Sequence, residues 1–390
     1  GFFFFLSIFC YICNKKINFY ISIFFFTILF TLYLFEFFIQ LNFNIKKNVL
    51  IKFHDKKYPM EKFDKRTRYE IYKEEVENDE NYTMIVYPRV NLSEKNNVFF
   101  LSGIGNKNTV TCNEMGYYAI NKSDRYGFNN DDKIWDEKEI DILLLGDSFA
   151  YGECVKREDN IPSKIIEQNP NLKIINLGMG GNGPLIEYAT FREFKPFLFK
   201  NLIWIYYEGN DLKDLNNELV NSILIKYLED YQFTQNLMLN HKSVEKKIEN
   251  KTSNLVESYD QGLFKDFKLL KFLKLFRTRY LLIPKKDELP YHKLEDILTK
   301  VNKDLSSDQN FYLMYIPSHK NFIKKNKNEN YFKLKSFLTK ESIIMIDLFE
   351  ELKISEKDYK KFTPFGAGEG HFSKFGYQEI AKLIFKKMYK

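Results

Sequence analysis

The sequence has few of the residues that build metal centres and disulfide-rich domains. Its 390 residues include 4 cysteines and 5 histidines, and no group of His, Cys and carboxylate residues has the spacing of a metal site. The glycine-rich turn at residues 178–183 lacks the lysine of a P-loop. We therefore expect neither a metal ion nor another cofactor.

The sequence also lacks a concentrated basic patch. Its formal net charge is +7, but lysine and arginine are scattered among Asp, Glu and Asn, and no zinc-finger or RNP pattern is present. Nucleic acid is therefore not an expected partner. The excess of Lys, Asn, Ile and Phe is typical of A/T-rich coding and does not indicate a binding surface.

Apolar residues dominate the N-terminus. Residues 17–41 form a run of about 25 residues with a single acid, Glu36, which is near the outer end and within reach of the interface. This run predicts a transmembrane helix within an anchor region at residues 1–41, with membrane lipid as its partner. The chain opens on Gly, and residues 1–13 are also apolar, which fits a fragment cut inside an earlier apolar segment.

Two observations on membrane orientation disagree. Cys112 and Cys154 are the only cysteines beyond the apolar N-terminus, and one disulfide or two buried thiols would both fit. We favour the disulfide, and with it an extracytoplasmic domain. The charge bias argues against export, because two lysines precede the span and five follow it: Lys15 and Lys16, then Lys46, Lys47, Lys52, Lys56 and Lys57.

The pattern of apolar residues divides the rest of the chain into two parts. Residues 42–138 read as a juxtamembrane stretch and extension with strand-like pieces at 83–87 and 97–101. Residues 139–390 alternate strands with helices, which predicts a parallel sheet covered on both faces. The predicted strands are 140–145, 172–176, 201–206, 311–316 and 343–346, and the predicted helices are 160–168, 184–193 and 375–388.

A helical insertion is expected at about residues 213–305. Apolar residues recur there among lysines, as in an amphipathic helix. We favour a helix that packs on its own domain over one that attaches to the membrane. The apolar residues are Leu269, Leu270, Phe272, Leu273, Leu275 and Phe276.

The most informative motif is Asp147-Ser148, which follows the first predicted strand through Gly146. A serine on this turn lies at the carboxyl edge of the sheet, where open α/β folds place their chemistry. The same residues also make ordinary turns and helix caps, so the motif alone does not establish a nucleophile.

Three later loops supply groups that an activated serine would use. A glycine-rich turn at 178–183 follows the second strand, Asn210 follows the third, and His371 precedes the last helix. Each has an ordinary alternative: a strand–helix connection, a helix cap and a structural histidine. The other histidines beyond the anchor are His54, His241, His292 and His319.

As an ordered set, these blocks resemble the SGNH hydrolases, also called the GDSL esterase/lipase superfamily, and more narrowly its membrane-anchored bacterial members. The resemblance covers residues 140–390 through Gly146-Asp147-Ser148, Gly181, Gly209-Asn210-Asp211 and Glu369-Gly370-His371; residues 123–130 and Cys154 add to it. It implies a three-layer α/β/α, flavodoxin-like fold.

The resemblance also implies roles in acyl-enzyme chemistry. Ser148 would be the nucleophile and His371 its base, while Ser148, Gly181 and Asn210 would form the oxyanion hole. The commonest family form has Asp three residues before the histidine, where this chain has Gly368. We therefore expect Glu369 to orient His371, with a Ser–His dyad as the alternative.

Three functions fit these residues. The first is a membrane-anchored ester hydrolase acting on an O-acyl group, such as an O-acetyl group of a cell-surface glycan or a small molecule. The second is an O-acyltransferase that uses the same acyl-enzyme. The third is a catalytically degenerate domain that binds glycan or serves in assembly.

Overall fold

The computed structural model describes residues 15–57, 63–94, 98–260, 272–282, 289–352, 359, 361–365 and 370–389, with the side chains of 42–57, 260 and 280 outside the description. The chain forms two compact units. One comprises residues 1–52 and 257–287, and the other comprises residues 53–256 and 288–390. Residues 272–282, in the middle of the predicted insertion at 213–305, belong to the first of these units.

The larger unit contains a five-stranded sheet in which all neighbouring strands are parallel. A smaller sheet of three strands precedes it, with β1 parallel to β2 and β2 antiparallel to β3. The small sheet consists of β1 (Tyr82–Met84), β2 (Asn108–Val110) and β3 (Ile120–Lys122). The large sheet consists of β4 (Ile140–Gly146), β5 (Ile174–Asn176), β6 (Phe199–Tyr207), β7 (Asn310–Ile316) and β8 (Ile344–Asp347).

The described helices are, in chain order, α1 (Lys15–Lys57), α2 (Arg68–Asn78), α3 (Ser148–Tyr151), α4 (Ile161–Ile166), α5 (Pro184–Phe194), α6 (Asp211–Glu218), α7 (Ser222–Glu229), α8 (His241–Asp260), α9 (Phe276–Leu282), α10 (Tyr291–Asp304), α11 (His319–Lys324), α12 (Glu329–Lys340), α13 (Leu348–Glu351) and α14 (Lys374–Tyr389).

The strands of the large sheet are predominantly apolar because both faces are covered. Leu143 and Leu145 of β4 belong to a core that includes residues of α5, α10 and α12. Ile142 and Leu144 belong to a second core, with residues of α4 and α14. Since successive side chains of a strand point to opposite faces, each strand serves both cores. The predicted α/β fold with a parallel sheet is confirmed.

The strand order indicates where this sheet can bind a ligand. The order is β5-β4-β6-β7-β8, so the first strand along the chain lies between the second and the third. This is the flavodoxin-like order, in which loops leave in opposite directions at the first and third strands and open a crevice at their carboxyl ends. Here those ends are Gly146 of β4 and Tyr207 of β6, directly before the Ser148 and Asn210 turns.

One strand-like piece of the extension is not a strand. The described residues of 97–101 are irregular, although Phe99, Phe100 and Leu101 are buried. The side chain of Gln235 replaces a neighbouring strand: its Oε1 accepts from the Phe99 N–H at 2.7 Å, and its Nε2 donates to the Phe99 carbonyl at 3.0 Å. The apolar run therefore predicted burial correctly and strand pairing incorrectly.

In the smaller unit, the segment Lys15–Leu41 of α1 is long and apolar enough to cross a membrane. Most of its large apolar side chains are exposed, for example Phe26 at 69% and Phe30 at 58%. A helix with this much exposed apolar surface fits a lipid environment.

Candidate active site

Ser148 begins α3 directly after the carboxyl end of β4. Asp147 caps this short helix, because its Oδ1 accepts from the Phe149 N–H at 2.9 Å. Gly146 allows the sharp exit from the strand: it has φ +146°, and a Cβ there would lie 2.8 Å from the Ile205 carbonyl oxygen. Ser148 Oγ lies 3.4 Å from Asp147 Oδ2. The predicted nucleophile therefore stands on a turn that its own neighbours define.

Asn210 approaches the same carboxylate from the end of β6. Its Nδ2 lies 3.5 Å from Asp147 Oδ2 and donates to Asp214 Oδ2 at 2.7 Å. Asp147 thus brings the Ser148 hydroxyl and the Asn210 amide to one oxygen. Burial raises the pKa of Asp147 to about 6, although the Phe149 N–H, the charge of His371 and the Asn210 amide partly offset this effect.

The glycine-rich turn starts at the same sheet edge, because the Met179 N–H donates to the Gly146 carbonyl at 3.2 Å. Gly181 has φ +72°, and a Cβ there would lie 2.8 Å from Cδ of Arg89. Arg89 is an exposed residue of the short helix at Pro88–Asn91. The sequence analysis did not identify Arg89. Arg89 and Gly181 are 92 positions apart along the chain, so no sequence motif could show that they lie close together.

The loop at 123–130 braces the nucleophile side of the site. Asn130 pairs with the backbone of Asn176: its Oδ1 accepts from the Asn176 N–H at 2.8 Å, and its Nδ2 donates to the Asn176 carbonyl at 2.9 Å. Asn176 Nδ2 in turn donates to the Ala150 carbonyl at 2.8 Å. Asp124 holds the loop itself, accepting from the Phe128 N–H and the Asn130 amide.

His371 is held by an acid that the sequence did not identify. Its Nδ1 lies 3.1 Å from Glu114 Oε1, and its backbone N–H donates to Glu114 Oε2 at 2.7 Å. The imidazole also packs against Phe149, with ring centroids 5.4 Å apart. Because Nδ1 is engaged by Glu114, Nε2 is the ring nitrogen that remains for another hydrogen-bond partner.

The charges around His371 favour its protonated form. Burial opposes protonation, but the carboxylates of Glu114, Glu153 and Asp147 outweigh this effect and raise the pKa of His371 to about 9. Burial also disfavours the charged form of Glu114, yet the hydrogen-bonded His371 keeps the pKa of that carboxyl below its usual value. The two groups therefore form an ion pair at neutral pH.

Two further contacts restrain the groups around His371. A disulfide joins Cys112 to Cys154, two residues before Glu114 and six residues after Ser148. His319 Nε2 lies 2.8 Å from the carbonyl oxygen of Gly370, directly before His371.

Ligand atoms of Glu114, Cys154 and His371 lie within 4.8 Å of one another. The Cys154 sulfur is bonded to Cys112 and is not a thiolate, so this cluster offers one carboxylate and one imidazole as metal ligands.

The structure brings some of the predicted residues together and separates others. Ser148 and Asn210 meet at Asp147, and His371 packs on Phe149, but no hydrogen bond joins Ser148 to His371 among the described residues. Glu369 lies outside the described residues.

The sequence analysis missed Glu114 because no spacing rule connects it to His371, which is 257 positions away. Its position two residues after Cys112 was the available signal.

Comparisons with known proteins give likenesses of structure. No model of a protein family matches the chain, and no curated protein matches its sequence. The structure is similar to that of a G-D-S-L family lipolytic protein from Desulfitobacterium hafniense DCB-2, at 13% identity and a TM-score of 0.34, covering 64% of this chain and 99% of that one.

A second G-D-S-L family member, from Veillonella parvula DSM 2008, has 12% identity and a TM-score of 0.35, with 64% of this chain and 99% of that chain covered. A psychrotrophic esterase from Pseudoalteromonas sp. has 12% identity and a TM-score of 0.31, covering 64% and 96% of the two chains.

Proposed function

We propose that the chain is a membrane-anchored serine ester hydrolase of the SGNH type that removes an O-acyl group, such as an O-acetyl group of a cell-surface glycan. One observation carries the proposal. At the carboxyl edge of the sheet, Ser148 and Asn210 approach the same oxygen of Asp147. Phe149, which follows Ser148, packs against the imidazole of His371, and Glu114 holds that imidazole.

The proposed reaction starts when Ser148 turns from Asp147 toward His371 by rotation about its Cα–Cβ bond. Its Oγ attacks the ester carbonyl carbon while its proton passes to Nε2 of His371. The bond from that carbon to the alcohol oxygen then breaks, and His371 returns the proton to the leaving alcohol. Water adds to the acyl-serine by the same route, which releases the carboxylic acid and restores Ser148.

The proposed oxyanion hole consists of the N–H groups of Ser148 and Gly181 and the side-chain amide of Asn210. The hydrogen bond from Asn210 to Asp214 supports this role, because it uses one amide hydrogen to orient the group. The amide nitrogen lies only 3.5 Å from Asp147 Oδ2, beside the Ser148 turn. Glu114 takes the part of the orienting acid. Glu369 remains a second candidate for that part on sequence grounds.

The location of the enzyme is part of the proposal. The apolar segment Lys15–Leu41 supports anchoring in a membrane. The disulfide between Cys112 and Cys154 supports an extracytoplasmic position for the larger unit, because disulfides persist in oxidising compartments. An O-acylated surface glycan would be an ester substrate accessible from that location.

Fluorophosphonate labelling of the full chain tests the chemistry. We expect the probe to label the wild type and the Ser222→Ala variant, which alters an exposed serine at the start of α7, but not Ser148→Ala. Folding of each variant is checked by circular dichroism. Absence of Ser148-dependent labelling in folded protein would contradict the serine-enzyme mechanism and leave a degenerate binding domain.

Product analysis tests hydrolysis against transfer. Wild-type protein that has not been exposed to the probe is incubated with an acetyl ester and an acceptor glycan. Free acetate alone supports the proposed hydrolase. Acetylated glycan supports an O-acyltransferase, in which a sugar hydroxyl replaces water in the second step.

A further inference from the structure

The apolar segment of α1 contains an acid that is buried within the protein. Glu36 is 1% exposed, whereas its neighbours Phe35, Phe37 and Phe38 are 45%, 48% and 54% exposed. At a rise of about 1.5 Å per residue, Glu36 lies roughly 8 Å from the end of the segment at Leu41. A carboxylate at this depth in a membrane is costly unless polar groups of the protein satisfy it.

Residues 272–282 supply those polar groups. Glu36 Oε2 accepts from both the N–H and the Oγ1 of Thr278 at 2.8 Å, and Glu36 Oε1 accepts from the Arg277 N–H at 3.3 Å. One helical turn earlier on α1, Tyr33 donates its hydroxyl hydrogen to the Leu273 carbonyl at 2.8 Å. All of these residues belong to one compact unit.

The remaining surface of residues 272–282 is largely apolar. Leu273, Phe276, Leu281 and Leu282 are 51%, 53%, 56% and 63% exposed. In water this surface would be unfavourable, but it continues the apolar surface of the α1 segment that it contacts. Exposed cations lie among these side chains and suit lipid headgroups: Lys274 and Arg279.

We propose that residues 272–282 are a second membrane-contacting segment, docked on the transmembrane helix through Glu36, with their apolar side chains in the acyl–headgroup boundary of the bilayer. The proposal rests on the membrane-anchoring part of the proposed function and is independent of its ester chemistry. It also assigns a role to Glu36, which connects two segments of the chain inside the membrane and does not reach the aqueous interface.

Fluorescence quenching in lipid vesicles tests the location. The full chain carries Cys10→Ser and Cys13→Ser, the native disulfide stays oxidised, and a single new cysteine receives an environment-sensitive fluorophore. The tested position is Leu282. Leu29 is the reference within the apolar span, and Leu239, which is 86% exposed in the larger unit, is the aqueous reference. The vesicles contain phosphatidylcholine, phosphatidylglycerol and a nitroxide-labelled lipid.

We expect the lipid nitroxide to quench the probes at Leu282 and Leu29, and aqueous iodide to quench the probe at Leu239. The proposal is overturned if Leu282 responds as Leu239 does, or if Leu29 is not quenched from the lipid. Ester hydrolysis is measured on the protein in the same vesicles, which separates the two proposals. Protein that shows the expected quenching but no hydrolysis would contradict the ester chemistry and leave the membrane contact standing.

Variants of Glu36 test the docking contact. Glu36→Ala removes the acceptor for Thr278 and Arg277, so we expect lipid quenching at Leu282 to be lost while quenching at Leu29 persists. Glu36→Gln keeps one acceptor oxygen and should retain part of the signal. Unchanged quenching at Leu282 in Glu36→Ala would refute docking through this carboxylate.

Discussion

The nucleophile and the imidazole of the candidate site are positioned in different ways. Ser148 is placed by its immediate neighbours, because Gly146 opens the turn and Asp147 caps α3. His371 is placed by Glu114, which is 257 positions away along the chain. The carbonyl of Gly370, directly before His371, lies within hydrogen-bond distance of His319, which is 51 positions away. The serine turn therefore depends on local sequence, whereas the imidazole depends on the assembled fold.

This difference has a consequence for function. Local turns re-form whenever the chain around them does, but contacts between distant loops are lost when either loop opens. The reactivity of His371 should therefore respond more strongly than the serine turn to changes in the N-terminal extension. The following variants test that comparison, beginning with the largest expected effect.

Removal of the Glu114 carboxylate should have the largest effect. We expect Glu114→Gln to lower kcat/KM by roughly 100- to 10,000-fold, because the imidazole loses the group that orients it and stabilises its charge. Ester hydrolysis is the measurement, with Glu167→Gln, an exposed acid after α4, as the matched control. A larger loss in Glu369→Gln than in Glu114→Gln would assign the orienting role to Glu369.

The pH dependence separates positioning from folding. A general base acts when neutral, so wild-type kcat/KM should rise with pH through the His371 pKa of about 9. Glu114→Gln removes a charge that raises this pKa and should move the rise to lower pH. An unshifted profile would contradict the ion pair.

The same pair links stability to pH. Because the folded-state pKa of His371 is raised above about 6.5, its contribution is fully present below that pH and is lost as pH rises through about 9. Chemical unfolding of the wild type should show this loss, and Glu114→Gln should show less of it.

Asn210→Ala tests the serine side of the site, which Asn210 approaches from the end of β6. Loss of one oxyanion donor should lower kcat by about 100- to 1,000-fold with little change in KM, because the interaction strengthens in the transition state. Asn217→Ala, an exposed position on the same helix, is the control. A change confined to KM would indicate that Asn210 binds the ground state instead.

The disulfide links the two sides, because Cys154 follows the serine turn and Cys112 precedes Glu114. We expect the Cys112→Ser, Cys154→Ser variant to lose about 2–5 kcal/mol of unfolding free energy. Its hydrolytic activity at 25 °C should fall less than that of Glu114→Gln, since the carboxylate is retained. Equal activity losses in the two variants would show that the bridge, and not the carboxylate, positions His371.

The smallest expected effect is that of Asn130→Ala, which removes the side chain paired with the Asn176 backbone. Leaving those buried backbone groups without partners should cost about 1–3 kcal/mol of unfolding free energy. Thermal or urea unfolding is the measurement, with exposed Asn171→Ala as control. Equal stability of the two variants would contradict the bracing role of Asn130.

Much of the fold could be predicted because its signals are local. The apolar runs predicted β4 to β8, and the helix predicted at 184–193 corresponds to α5. The prediction failed at 97–101, where a buried apolar run pairs with the side chain of Gln235 instead of a strand. Apolar character specifies burial, but the hydrogen-bond partner depends on what the rest of the chain brings alongside.

The site divides in the same way. The sequence by itself determined the parallel sheet, the edge at which Ser148 and Asn210 emerge, and the apolar helix at the N-terminus, because periodicity and turn chemistry act over a few residues. Only the tertiary structure decided that Glu114 faces His371, that Asn130 braces Asn176 and that Glu36 binds residues 277 and 278. These pairs are distant along the chain, and their hydrogen bonds form only where folding brings the partners together.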